Sequence, residues 1–141
     1  MNTFIGTKII NAVAMTRQEY NDFRGWQLPE NENGADAGYL VEYLDGGQPN
    51  TEHYAGYVSW SPAEQFEKAY ISIGDVSGKS EHMVRVAGER AELADRLNKL
   101  NKFIGGDNFA SLSSNQQDLL RKQSVAMDSY LAILDSRLSA N

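Results

Sequence analysis

Three basic residues recur every third position near the middle of the second half of this chain: Arg96, Lys99 and Lys102. No acid lies between Arg96 and Gly106. Read as a helix, this spacing sets the three on one flank, just off a Leu97/Leu100/Ile104 seam. Cations near a helix C-terminus complement its dipole, so a solvated basic face is the plainest account. The chemical alternative is phosphate binding, if association brings two such flanks together.

Other candidates for chemistry are sparse. His53 and His82 lie in different segments, with no metal-ligand spacing to each other or to a carboxylate, and surface exposure is the default for both. Glu30 and Glu32 sit in an acidic loop where solvated charge is the simpler reading than a divalent-ion site. The sequence has no glycine-rich phosphate loop, nucleophile elbow or zincin signature. An enzyme is disfavoured, and no cofactor or metal is implied.

Composition narrows the partners. The net charge of the 141 residues is −6, and it is uneven. Residues 1–79 hold five Lys/Arg against eleven Asp/Glu, while residues 80–141 hold eight of each. Duplex DNA needs a broad basic surface, so non-specific DNA binding is not expected. A compact anion remains compatible with a local basic cluster. There is no cysteine. There is also no apolar run long enough for a membrane span, and the start lacks the pattern of a signal peptide, so no membrane association is expected.

The elements that must position these residues fall into two groups. Residues 5–15 read as a strand, with Ile9, Val13 and Met15 on one side. Thr16 and Glu19 form a capping box opening a helix from Arg17 to about Phe23, which Gly25 breaks. Residues 29–37 are a polar loop. Residues 39–44 and 56–60 read as strands, joined through an Asp45-Gly46-Gly47 turn and a polar loop. Ser61 and Glu64 suggest a second capping box, with a helix from Pro62 to about Tyr70 that turns Phe66, Ala69 and Tyr70 to the core. The aromatics Trp26, Tyr39, Tyr43, Tyr54, Tyr57, Trp60, Phe66 and Tyr70 are dense here. They suit a small β core, or a platform for a base, a peptide or a protein.

The second group is helical. Val86, Leu93, Leu97, Leu100 and Ile104 repeat at spacings of seven, four, three and four, a heptad-like stripe ended by Gly105-Gly106. Ser113 or Ser114 caps a following helix, in which Leu120, Met127, Leu131, Leu134 and Leu138 continue the period. The short connection makes the helices antiparallel neighbours. Two helices alone cannot bury both stripes, so partner helices are expected. The fold class is therefore α+β: a small antiparallel β domain with short helices over 1–73, a linker over 74–80, and an oligomerising two-helix hairpin over 81–141.

The hairpin resembles a known family. The pattern R-V-x(2)-E-x(3)-L-x(3)-L-x(2)-L-x(2)-F-I is carried by Arg85-Val86, Glu89, Leu93, Leu97, Leu100 and Phe103-Ile104. Phe109, Leu112, Leu119-Leu120, Gln123, Met127, Tyr130, Leu134 and Arg137 follow. This is similar to the small helical phage proteins that act as anti-CBASS sponges. CBASS is a bacterial defence in which a cyclase makes cyclic oligonucleotide messengers that trigger an effector. The resemblance implies sequestration of cyclic dinucleotides or trinucleotides without cleavage, by a homohexamer with dinucleotide pockets between protomers, in the cytoplasm of the infected host. By position it assigns the family's phosphate-binding lysine to Lys99, with Lys102 as the competing choice, and places Asn101 where the family has a hydroxyl. His82 is the flat ring nearest the family's base-stacking aromatic, and Val84 is the other residue at that position. Arg85 falls within the matched pattern, and Arg137 matches a basic residue near the end of the last helix.

The first half, with its R-G-W at 24–26, P-E-N-E-N-G at 29–34 and G-Y-x-S-W-S-P at 56–62, is similar to a small domain common in uncharacterised phage proteins. A second functional reading follows from it: a phage accessory protein whose hairpin only assembles and whose aromatic β unit binds a host protein. A hydrolase is the third and weakest reading.

Overall fold

Thr16 starts the first helix as its chemistry requires. Its hydroxyl accepts from the Glu19 amide at 3.2 Å, and the Glu19 carboxylate accepts from the Thr16 amide at 3.0 Å. In the computed structural model, which describes residues 1–140, this helix (α1) spans Arg17–Arg24. Gly25 closes it in the left-handed region at φ 71°, donating back to Asn21 and Asp22. It follows strand β1, Ile10–Ala14, which is shorter than the run read from the sequence. Strands β2, Gly38–Tyr43, and β3, Val58–Pro62, complete an antiparallel sheet of order β1-β2-β3. The fold is α+β.

The chain forms two compact units, divided between Tyr70 and Ile71. The core of the first gathers Tyr20, Leu40 and Val58, with Met15, Phe23, Tyr54 and Trp60 packed around them. Of the dense aromatics only Tyr54 and Trp60 join this core; Trp26 and Tyr57 are exposed, and Tyr39, Phe66 and Tyr70 pack on one another. Register explains the placement: Leu40 pairs with Trp60 and its i+2 neighbour Glu42 with Val58, so Leu40, Trp60 and Val58 share the face on which Tyr20 of α1 packs. The Trp60 indole donates to the Met15 carbonyl at 2.7 Å, satisfying its one polar atom. Glu42 is buried in this unit and accepts from the Asn11 side chain at 3.2 Å and the Gly56 amide at 3.0 Å.

Helix α2, Ala63–Ala69, departs from the expected capping box. Ser61 lies inside β3 and its hydroxyl faces the Pro62 carbonyl, so Pro62 occupies the cap position without a side-chain acceptor. The sheet ladder to Tyr39 holds Ser61 in extended geometry and takes it away from the helix start. Phe66 stacks on Tyr39 with centroids 4.0 Å apart, and Tyr70 tilts against Phe66, but Ala69 is exposed.

The second unit is an antiparallel hairpin. Helix α3, Glu81–Ile104, is capped by Ser80, whose hydroxyl accepts from the Met83 amide. Helix α4, Ser114–Ser139, is capped by Ser113, which accepts from the Gln116 amide. A single 3-10 turn, Phe109–Ser111, sits in the connection with Phe109 buried. Val86, Leu93 and Leu134 form the seam, supported by Met83, Met127, Leu131 and Leu138. Of the two stripes, Val86, Leu93, Leu97 and Leu134 are buried and the others half-buried, while other apolar side chains of the hairpin lie outside them. Phe103, Leu119, Tyr130 and Ile133 are each at least 40% exposed. No helix among the described residues is long and apolar enough to cross a membrane.

Candidate ligand-binding site

Two polar seams flank the apolar seam of the hairpin, and they sort the candidate residues. On one flank, Arg137 Nη2 of α4 lies 3.4 Å from His82 Nε2 of α3. A guanidinium only donates, so in this contact the ring nitrogen is the acceptor. Seven residues further along each helix, the Tyr130 hydroxyl donates to the Glu89 carboxylate. Seven residues is close to two turns, so Arg96 continues this flank beyond Glu89 on α3. On the opposite flank, Arg90 bonds Asp135 at 2.8 Å, and eleven residues on, the Ser124 hydroxyl donates to Asn101 Oδ1 at 2.6 Å.

This corrects the grouping expected from spacing. A step of three residues falls about 60° short of a turn, so Arg96, Lys99 and Lys102 sweep through about 120° around α3. All three are exposed, but they do not share one flank. Lys99 turns outward and pairs with Asp95 at 2.9 Å. That pair is solvent-accessible and worth little, so the ammonium is available to a stronger anion. Among the described residues, Arg85, Arg96 and Lys102 are exposed and enter no ion pair.

Distance divides the candidates as well. His82 and Lys99 are seventeen residues apart on one helix, which is about 25 Å along its axis. The His82–Arg137 corner and the Lys99–Asn101 segment therefore lie at different ends of α3 within one chain. Beside Arg137, a shallow apolar hollow is lined by Ala132, Ile133, Ser136 and Ala140. A second hollow near the turn is lined by Phe103, Leu112, Gln116, Leu119 and Leu120.

Sequence reasoning passed over Tyr130 as a site residue, although its ring is 41% exposed on the flank that carries Arg137. Its spacing of seven from Arg137 was the available signal. It also passed over Arg121, whose guanidinium lies 5.0 Å from the Phe109 ring centre, and Arg90, whose partner is 45 residues away. Neither contact leaves a trace in local pattern. His53 and His82 are both exposed. Glu32 of the acidic loop pairs with Arg17 at 3.1 Å, and no group of three or more His, Asp or Glu able to hold a metal occurs among the described residues.

Comparison with known proteins falls on this same hairpin. The family model described as Sequestin matches residues 80–140. The uncharacterized 7.5 kDa protein of the denB-rIIB intergenic region of Enterobacteria phage T4 is 33% identical over 58 residues, covering 41% of this chain and 91% of that relative. No solved structure matches the chain. With nearly the whole length of that phage relative spanned, the chain belongs through its helical hairpin to the Sequestin family, the anti-CBASS cyclic-nucleotide sponges, which are binding proteins rather than enzymes.

Proposed function

We propose that this protein sequesters cyclic oligonucleotide second messengers, intact, in the cytoplasm of a phage-infected bacterium. The observation that carries the reading is the coincidence of the family match with the hairpin, from the Ser80 cap through α4. The match contains every basic residue singled out as a ligand contact.

The ligand site is shared between protomers of a homo-oligomer, a hexamer on the family pattern. The incomplete burial of Leu119, Tyr130 and Ile133 supports association of hairpins, because apolar surface of this kind gains by excluding water. The 25 Å interval between the two basic groups supports sharing. One protomer supplies His82, Arg85 and Arg137, and a neighbour supplies Arg96, Lys99, Asn101 and Lys102. The arginines and lysines take phosphates, and His82 or Tyr130 offers a ring face to a base.

Calorimetry with cyclic dinucleotides and trinucleotides tests the binding. Saturable heat is expected with at least one, and recovery of the unaltered nucleotide after heat denaturation separates a sponge from a nuclease. No heat with any of them at sub-millimolar protein sinks the proposal. Light scattering on the same samples reads the oligomer, and a monomer at these concentrations removes the shared site.

A further inference from the structure

The two edges of the N-terminal sheet are treated differently. In the β1–β2 ladder the bond from the Met15 amide to the Gly38 carbonyl fixes which residues face inward. Alternation then makes Met15, Val13 and Asn11 the hydrogen-bonded positions toward β2, and turns the N–H and C=O of Ile10, Ala12 and Ala14 outward. By the same reasoning, the bond from the Tyr43 amide to the Tyr57 carbonyl turns Val58, Trp60 and Pro62 outward on β3.

The β3 edge is blocked at two of its three outward positions. The Asn50 side chain donates to the Val58 carbonyl at 2.9 Å and accepts from the Val58 amide at 2.8 Å. Pro62 has no N–H to offer. The β1 edge has none of these devices. Residues 9–15, Ile-Ile-Asn-Ala-Val-Ala-Met, contain no charge, no proline and no glycine. Among the described residues no side chain bonds the outward groups of Ile10, Ala12 or Ala14. Folded proteins protect such an edge, or they pair it.

We infer that β1 is a docking edge for the β1 strand of a second copy of this chain, joining two N-terminal sheets across a two-fold axis through Ala12. The edge is self-complementary in this register. Ala12 faces the partner's Ala12, Ile10 faces the partner's Ala14 and Asn11 faces the partner's Val13, so small residues meet at the axis and no like charges oppose. Every outward N–H and C=O of Ile10, Ala12 and Ala14 finds a partner, and the sheet grows from three strands to six. The preceding segment fits the same occupant. Phe4 and Ile5 are 88% and 83% exposed, and Val13 on the sheet is 49% exposed, so a second copy meets apolar surface on and beside the strand. This contact is independent of the hairpin.

The chain has no cysteine, so one introduced thiol reports one place. Full-length Ala12→Cys treated with a short bis-maleimide is compared with Leu44→Cys, which is exposed but lies off the edge. Ala12→Cys is expected to yield covalent dimer several-fold faster. Adding Ala14→Pro, which removes an outward N–H and no bond to β2, is expected to bring the rate down to that of Leu44→Cys. Ala12→Cys linking no faster than Leu44→Cys overturns the inference, as does a rate that Ala14→Pro leaves unchanged. Either result stands apart from nucleotide binding, which Ala14→Pro is expected to preserve.

Discussion

Arg137 near the end of α4 meets His82 near the start of α3, Nη2 to Nε2, at 3.4 Å. This contact joins residues 55 positions apart and marks the open end of the hairpin. It pins a guanidinium, which has donors to spare, beside a flat ring and above an apolar hollow. The pairing gives one corner the three surface chemistries a nucleotide needs: charge, a stacking face and an apolar wall. The Tyr130–Glu89 contact two turns inward repeats the relation with the aromatic on the other helix.

Loss of that corner is measurable. Arg137→Ala removes charge-assisted hydrogen bonds of about 1.5–3 kcal/mol, so cyclic-nucleotide affinity is expected to fall about 10- to 100-fold. His82→Ala is expected to cost less, about tenfold or below, because a stacking contact is lost without a charge. Calorimetry reads both, and circular dichroism checks that the hairpin persists. Unchanged affinity in Arg137→Ala removes this corner from the site.

A shared site permits complementation. Arg137→Ala and Lys99→Glu are each expected to bind poorly as pure oligomers. Mixed by dissociation and reassembly, they form some interfaces carrying the intact Arg137 of one protomer and the intact Lys99 of another. A return of a fraction of the binding sites at wild-type affinity is the expected outcome. If no mixture recovers any site, the two residues do not act across one interface.

Much of this architecture was legible in the sequence. The Thr16–Glu19 box and Gly25 delimit α1 because both depend on local hydrogen bonding. The Leu spacings and Ser113 delimit the hairpin for the same reason. The Ser61 box misled because a local motif competed with a long-range ladder, and the ladder to Tyr39 prevailed. The basic triplet misled in another way. Recurrence every third residue looks like a face, but the 3.6-residue period carries it around the helix. The flanking seams were invisible because each contact spans 23 residues or more, and only the antiparallel docking of α3 and α4 brings such pairs together.

The apolar seam sets hairpin stability. Leu134 is fully buried between Val86 and Leu93. Leu134→Ala is expected to cost about 2–5 kcal/mol, through lost burial and the cavity left behind. Urea denaturation followed by far-ultraviolet dichroism measures it, because the hairpin holds the two longest helices. Ile133→Ala, on the exposed face next to it, is expected to leave the monomer's stability nearly unchanged and to weaken assembly instead. Equal losses of stability in both would mean that Ile133 is buried within the protomer and is not an assembly contact.

Acid should loosen the N-terminal unit through α1. The Thr16 amide donates to the Glu19 carboxylate and the Thr16 hydroxyl completes the box, which holds the Glu19 carboxyl below its ordinary value of 4.5. A depressed folded-state value means that the unfolded chain binds the proton more tightly. The contribution of Glu19 is therefore fully present above about pH 4.5 and is lost as the pH falls through the folded-state value. Both tryptophans, Trp26 and Trp60, lie in this unit, so their fluorescence reports its unfolding without interference from the hairpin. Thr16→Ala is expected to destabilise the unit by about 1 kcal/mol at neutral pH. Glu19→Gln keeps an acceptor for the Thr16 amide but cannot titrate, so it should stay close to wild type at neutral pH and lose less stability than wild type on acidification. An acid-side slope in Glu19→Gln as steep as that of wild type would assign the acid sensitivity to other carboxylates, with Asp45, held low by Lys8, the first to test.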